Sequence, residues 1–122
     1  MSMKIGVISE GDTLDSYVAD DFGHAPYFLI VDMDTLDYVV VENEHKDSVS
    51  GAGMLVAKAI VDLGVDAIIV GGIGPHGYEI LSDAGITVSA DEEGTVEESV
   101  NDFKRRYERR KKFEALGSEG SD

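Results

Sequence analysis

The chain has 122 residues and a mass of 13.1 kDa, which fits one domain because chains divide into several domains only at larger sizes. It contains no cysteine, so disulfides, thiolate metal ligands and a cysteine nucleophile are excluded. The hydrophobic fraction of 43% is typical of a globular protein. No apolar run approaches the ~20 residues that cross a bilayer. No secretory signal is recognisable either, so we expect a cytoplasmic protein.

The net charge of −15 is unevenly spread along the chain. Residues 1–103 contain three basic and 21 acidic residues, a sum of −18, whereas residues 104–122 contain seven basic and four acidic ones, a sum of +3. A body this acidic repels nucleic acid and anionic membranes, so neither is expected as a partner. The acids suit a solubilising surface in a salt-rich cytoplasm, or alternatively a docking face for a basic partner or a cation.

The first half of the chain predicts three strands, at residues 3–9, Tyr27–Asp32 and Tyr38–Glu42. A long polar loop, residues 10–25, separates the first two strands. Residues 34–37 have turn chemistry, so the second and third strands form a hairpin.

The second half predicts helices alternating with strands: a helix at 53–63, a strand at Asp66–Val70, a helix at Pro75–Ala84, a strand at Ile86–Ala90 and a helix from Val96 to Lys112. Gly64 suits a left-handed C-cap, and Thr95 with Glu98 forms a capping box. We therefore expect a single α/β domain over residues 1–113 and a disordered polar tail over residues 114–122.

This order of elements predicts a three-layer α/β/α fold, because strands that alternate with helices place helices on both faces of the sheet. Right-handed crossovers favour a five-stranded mixed sheet in the order 3-2-1-4-5, with strand 2 antiparallel. Ligand crevices in such sheets form where the strand order reverses, at the carboxyl edge. Here the crevice falls between strands one and four, beside loops 10–25 and 71–77.

All three histidines lie on loops at this edge of the predicted sheet. Two independent loops bring His24 and His76 to the crevice, and imidazole is a good ligand for iron, zinc or copper. Each ring must be neutral to bind metal, so binding should weaken as the pH falls through the histidine range. His45 lies about two strand spacings away, ~10 Å. Alternatively, each histidine is an ordinary surface residue that binds no metal.

A glycine-rich turn follows the fourth strand. Residues 72–77 match the pattern G-x-G-x-x-G and open a helix, but the chain leaves no second half-domain for a dinucleotide. A small-anion site at the helix N-terminus, or a purely structural turn, fits better. We expect Gly72 or Gly74 to hold a positive φ or to let the backbone approach a ligand. With Gly71, these glycines are the predicted cofactor-binding residues of the turn.

Three motifs, at residues 21–28, 71–75 and 94–98, resemble the dinitrogenase iron–molybdenum cofactor biosynthesis family, which includes small nitrogenase accessory factor-like domains. The resemblance covers about residues 3–105. It implies an α/β fold with a ribonuclease H-like motif, and a carrier rather than an enzyme. The implied cargo is an iron–sulfur or iron–molybdenum cluster, exchanged with a donor or acceptor protein. Phe22 and Gly23 belong to the first motif and join the predicted cofactor-binding residues.

The sequence departs from that family at the first motif. The family histidine falls at Asp21, and His24 follows the Phe-Gly pair instead. Two other functions therefore stay open. One is a nucleotide or small-anion regulatory module that uses the turn Gly71–Gly77, and the other is an interaction module that uses the basic helix 104–113. The oligomeric state is not predicted.

The uneven charge leads to a test with salt. Repulsion among the acids of residues 1–103 is screened as ionic strength rises, so we expect the melting temperature to climb from low salt to molar salt. Thermal unfolding followed by circular dichroism across a sodium chloride series measures this. A flat or falling curve would mean that the acids are already paired or bound.

Overall fold

The computed structural model describes residues 2–119, with side chains as far as residue 116. Five strands and three helices follow in the predicted order: β1 (Lys4–Ser9), β2 (Tyr27–Asp32), β3 (Tyr38–Glu42), α1 (Ala52–Leu63), β4 (Ala67–Ile69), α2 (Pro75–Asp83), β5 (Thr87–Ser89) and α3 (Val96–Glu119). They form one sheet in the order β3-β2-β1-β4-β5. β2 is antiparallel to both neighbours, and β1, β4 and β5 are parallel. The predicted three-layer fold and strand order are confirmed.

The sheet is the middle layer and carries apolar side chains on both faces. One face packs against α1 and α2, through residues such as Ile8, Phe28, Ile68, Val56, Ile60 and Leu81. The other face packs against the first half of α3, through residues such as Val7, Leu29, Ile69, Val96, Val100 and Phe103. Alternate residues of one strand thus serve opposite layers, which explains why β1 and β4 are continuous apolar runs.

The helix ends follow the local chemistry of the sequence. Gly64 adopts φ +70 and caps α1, as a residue without a Cβ does readily. At the start of α3, the Thr95 amide donates to Glu98 Oε1 over 3.0 Å, and the Glu98 amide donates to Thr95 Oγ1 over 3.2 Å. Hydrogen bonds to the Glu98 carboxylate from the Thr95 backbone amide and from the Thr95 side chain lower the pKa of Glu98. The predicted capping box is therefore confirmed.

Helix α3 is longer than predicted. It continues past its basic run to Glu119, so a disordered tail does not begin at residue 114. The intrinsic preference of Glu, Ala and Leu for helix explains why the helix persists over residues 114–116. Residues 120–122 of the predicted tail lie outside the described residues. Within residues 2–119 no helix is long and apolar enough to cross a membrane.

Two glycines join the loop after β4 to the loop after β1. The Gly71 amide donates to the carbonyl of Ala19 over 2.9 Å, and the Gly72 amide donates to that of Asp20 over 2.8 Å. A Cβ on Gly71 would lie 2.8 Å from the Ala19 carbonyl oxygen and from Asp20 Cα, and a Cβ on Gly72 would lie 2.8 Å from the Asp20 carbonyl oxygen. Close backbone approach is thus the reason for glycine at both positions.

Gly74 differs from these two. Its φ is −78, and a Cβ there would meet no heavy atom within 4 Å. Neither Gly72 nor Gly74 is among the glycines with positive φ, so the prediction of a positive φ is wrong. Gly72 instead permits the close approach of the loop after β1, and the approach of a ligand to either glycine stays a prediction.

We expect Gly71→Ala to lower the free energy of unfolding by about 1–3 kcal/mol, because the new methyl group overlaps fixed backbone atoms rather than a movable side chain. Urea denaturation measures the change. Gly74→Ala is the matched control and should change it by no more than about 0.5 kcal/mol, since a lost N-cap preference and a gain in chain entropy offset each other. Equal effects of the two substitutions would contradict the close approach at Gly71.

Candidate functional site

A cavity of about 290 Å³ lies at the carboxyl edge of the sheet, between the N-termini of α1 and α2. Residues 49–54, residues 74–77, Phe22 and His24 line it. A neighbouring recess of about 400 Å³ shares Phe22 and His24 and adds Asp20, Asp21, Gly23, Gly72 and Ile73. The two hollows together occupy the place at which the strand order reverses.

The structure brings most of the predicted site residues together. His24, on the loop after β1, and His76, in the first turn of α2 rather than on a loop as predicted, line the same cavity, and Gly74 lies beside them. Gly23 and Gly72 line only the neighbouring recess. Gly71 lines neither hollow, and its amide is used within the fold. The amides of Gly71 and Gly72 are therefore not available to an anion, contrary to the role that the sequence suggested for the turn.

Phe22 and Gly23 fix the loop after β1 against both helices. The Phe22 side chain is buried and lines both hollows. A Cβ on Gly23 would lie 3.0 Å from the Cβ of Ala52, and one on Gly77 would lie 3.3 Å from the Phe22 ring. Small residues at these points let the loop and the two helix N-termini approach one another closely.

Asn43 supports the same loop and was not singled out from the sequence. Its side chain is buried, and its amide nitrogen donates to the carbonyls of Gly23, over 3.1 Å, and Ala25, over 2.8 Å. Its side-chain oxygen accepts the His45 amide over 2.9 Å. Asn43 thus ties the loop that carries His24 to the loop before α1.

The N-termini of both helices open towards the cavity without side-chain caps. Gly51, with φ +72, precedes α1, and Gly74 precedes α2. Neither helix has an acidic residue in its first turn. The first amides of a helix have no partner inside the helix, and the helix dipole places partial positive charge there. Two such ends at one cavity favour a negatively charged ligand.

The charges of the residues that line the cavity also favour a negatively charged ligand. The chain contains 25 acidic residues, yet no carboxylate is among the residues that line the 290 Å³ cavity. The nearest lining acids, Asp20 and Asp21, belong to the neighbouring recess. An anion could therefore enter the cavity without direct repulsion from its walls.

His24 contacts a hydrogen-bond acceptor with each ring nitrogen. Nδ1 lies 2.9 Å from Asp21 Oδ2, and Nε2 lies 3.2 Å from the carbonyl oxygen of Ser48. Only the imidazolium form has two N–H groups, so only the cation satisfies both contacts. The hydrogen bond to Asp21 and that to Ser48 raise the pKa of His24 above its ordinary value.

This pairing changes the role of His24. A ring that donates from both nitrogens has no lone pair for a metal, so the predicted ligand geometry does not fit the ring as it stands. As a cation, the ring instead favours an anion in the cavity. Asp21, at the position of the family histidine, also accepts the Gly23 amide over 3.0 Å and so shapes the turn that presents His24.

No set of three or more histidine, aspartate or glutamate side chains within the described residues is arranged to hold a metal ion. His45 lies apart from the cavity and lines a separate recess near β3, as its place on the third strand's loop predicted. Two features were not predicted from the sequence: the hydrogen bond between the His24 ring and the Ser48 carbonyl, and the start of α1 without a side-chain cap. The only signal for them was the run Ser50–Gly53, which opens a helix without an acid.

The comparisons with known proteins agree with this architecture. An uncharacterised protein of Methanocaldococcus jannaschii is 29% identical over 104 residues, which cover 83% of this chain and 85% of that protein. The apo form of the orange protein from Desulfovibrio gigas has a TM-score of 0.80 at 33% identity, covering 86% of this chain and 89% of that one. A NifB-like protein from Thermotoga has a TM-score of 0.70 at 35% identity, covering 84% and 88%.

A family model described as dinitrogenase iron-molybdenum cofactor matches residues 2–106. That range contains every strand, α1, α2 and the part of α3 that packs on the sheet. The chain therefore belongs to the dinitrogenase iron-molybdenum cofactor family, a family of small cofactor-related domains.

Proposed function

We propose that this domain binds an anionic iron–sulfur or iron–molybdenum cluster as cargo, in the cavity between α1 and α2. The observation that carries the proposal is the convergence of two uncapped helix N-termini and the doubly hydrogen-bonded His24 ring on a cavity without carboxylates. Clusters rich in sulfide carry net negative charge, so this environment suits them. The role is binding and transfer rather than catalysis, and it requires a protein that donates or accepts the cluster.

Few side chains in the cavity can bind the metal ions of a cluster, so we expect the cluster to be held weakly. Without cysteine, the chain cannot anchor a cluster by thiolates. The His76 ring forms no hydrogen bond within residues 2–116, so its nitrogens remain open to a metal. Met54 adds a thioether to the lining, and Phe22 forms an apolar wall. We infer that His76 is the single protein ligand and that the amides and His24 hold the charge.

A nucleotide or small-anion regulatory module is the second proposal. The same helix N-termini would bind phosphate. The turn Gly71–Gly77 offers less than its glycines suggest, because two of its amides already bind the loop after β1. Isothermal titration with inorganic phosphate and with ATP separates the two proposals. Tight phosphate or nucleotide binding, with no retention of iron or molybdenum, would favour the regulatory module.

Cluster binding is tested by anaerobic reconstitution with ferrous iron, sulfide and molybdate, followed by desalting, metal analysis and absorbance spectroscopy. We expect the wild type to retain coloured metal, and the double variant His24→Ala/His76→Ala to retain at least about tenfold less, because it loses the metal ligand His76 and the charge-assisted contact of His24, which alone contributes roughly 1.5–3 kcal/mol. His45→Ala is the matched control and should retain as much as the wild type. Equal retention by all three proteins would end the proposal.

The pH dependence distinguishes a cationic His24 from a neutral ligand. Because the folded pKa of His24 is raised, its charge is complete below the ordinary histidine pKa and is lost as the pH rises through the raised value. We expect cluster retention to fall as the pH rises through that value, and Asp21→Asn to move the fall to lower pH. NMR titration of the His24 ring supplies the pKa. A loss of retention as the pH falls, with a midpoint that Asp21→Asn shifts, would instead restore the neutral-ligand role of His24, because protonation of His76 would not respond to that substitution.

A further inference from the structure

Helix α3 extends beyond the domain that defines the family. The family match ends at residue 106, whereas α3 continues to Glu119. Its apolar contacts with the sheet end at Tyr107, and residues 108–116 are all exposed. The last part of the helix therefore contributes little to the core, and its sequence needs another explanation.

That extension carries a second stripe, on the face opposite to the sheet. Arg109, Lys112, Phe113 and Leu116 follow the spacing i, i+3, i+4, i+7 and so share one side of the helix. Phe113 is 76% exposed and Leu116 is 58% exposed. Arg109 and Lys112 form no ion pair within residues 2–116. We call these four residues the basic stripe.

A recess of complementary character lies at the outer edge of the sheet, beside β3. It has a volume of about 210 Å³ and an apolar floor formed by Phe28, Val41 and Leu63. Three carboxylates surround this floor, those of Glu42, Glu44 and Asp62. An apolar cavity of about 150 Å³ can hold a benzene ring, so the recess has room for one aromatic side chain. We call it the acidic recess.

We propose that the chain associates with a second copy of itself by placing the basic stripe of one copy in the acidic recess of the other. Phe113 would fill the apolar floor, and Arg109 and Lys112 would meet the carboxylates on the rim. A protomer cannot satisfy its own recess, because α3 covers one face of the sheet and the recess lies on the face of α1. Reciprocal exchange between two copies closes a two-fold dimer.

Charge favours this occupant over a nucleic acid. Residues 1–103 sum to −18, so a phosphate backbone bound to the stripe would lie near a strongly repelling body. A second copy carries the same charge, but its recess also offers an apolar floor for Phe113, which a phosphate backbone lacks. Net repulsion between two copies acts over long distances and is screened by salt, whereas pairs in direct contact are screened less. Association should therefore survive moderate salt.

The test uses the full chain and sedimentation velocity in ~0.5 M salt, where the Debye length is about 4 Å. We expect the wild type to form a dimer, and Phe113→Ala to weaken it by at least about tenfold, because a buried aromatic anchor is lost without any change of charge. Phe113 lies outside the core, so circular dichroism should show an unchanged fold. Ser82→Glu, exposed on α2 and absent from the lining of the acidic recess, is the control for added negative charge and should dimerise as the wild type does.

A charge exchange makes the test specific to the two surfaces. Arg109→Glu/Lys112→Glu has an acidic stripe and an acidic recess, and Glu42→Lys/Glu44→Lys has a basic stripe and a basic recess. We expect each variant alone to be monomeric and an equal mixture to form a heterodimer, because both contacts are then complementary again. A monomeric wild type, or a mixture of folded variants that stays monomeric, would overturn the proposal. So would a wild type that stays monomeric but binds a DNA oligonucleotide through the stripe.

Discussion

The backbone hydrogen bonds from Gly71 and Gly72 to the carbonyls of Ala19 and Asp20 hold together the two loops that build the cavity. β1 and β4 are parallel neighbours, so their loops leave the sheet side by side. Without the close approach that glycine permits, the loop carrying His24 would move away from the start of α2. The geometry of the cavity thus depends on Gly71 and Gly72, although neither residue lines the cavity. Gly72 lines only the neighbouring recess.

Electrostatics distinguishes that cavity from the rest of the surface. Most of the surface of this chain repels anions, but the cavity lining contains helix N-termini and histidines instead of carboxylates. Asp21 is the acid closest to this arrangement, and it is paired with His24 rather than directed at a ligand. Although partial burial opposes it, the hydrogen bond from His24 lowers the pKa of Asp21. Each partner thus favours the charged form of the other, and the ring is the member of the pair that lines the cavity.

Local patterns and chain topology predicted the strand order, the caps at Gly64 and Thr95, and the meeting of His24 with His76 in one cavity. The second contact of His24 could not be predicted, because Ser48 lies 24 residues away on a loop whose path depends on the buried Asn43 side chain. The role of Gly71 was also hidden, since a pattern of glycines does not distinguish free amides from paired ones. The basic run looked like a helix end because its charges suit a C-terminus.

The coupling of α3 to the domain ends at Tyr107. Its ring stacks on Phe103 with centroids 6.4 Å apart, and Lys111 Nζ lies 5.5 Å above it. Tyr107 lies near Ser2 and Met3, which precede β1, and near Asp66, which precedes β4. The helix therefore leaves the sheet at the edge opposite to the cavity. The acidic recess and the cavity share no lining residue. A second copy docked through α3 would therefore leave the cavity open. Asn43 lines the recess and also holds the His24 loop, so it connects the two.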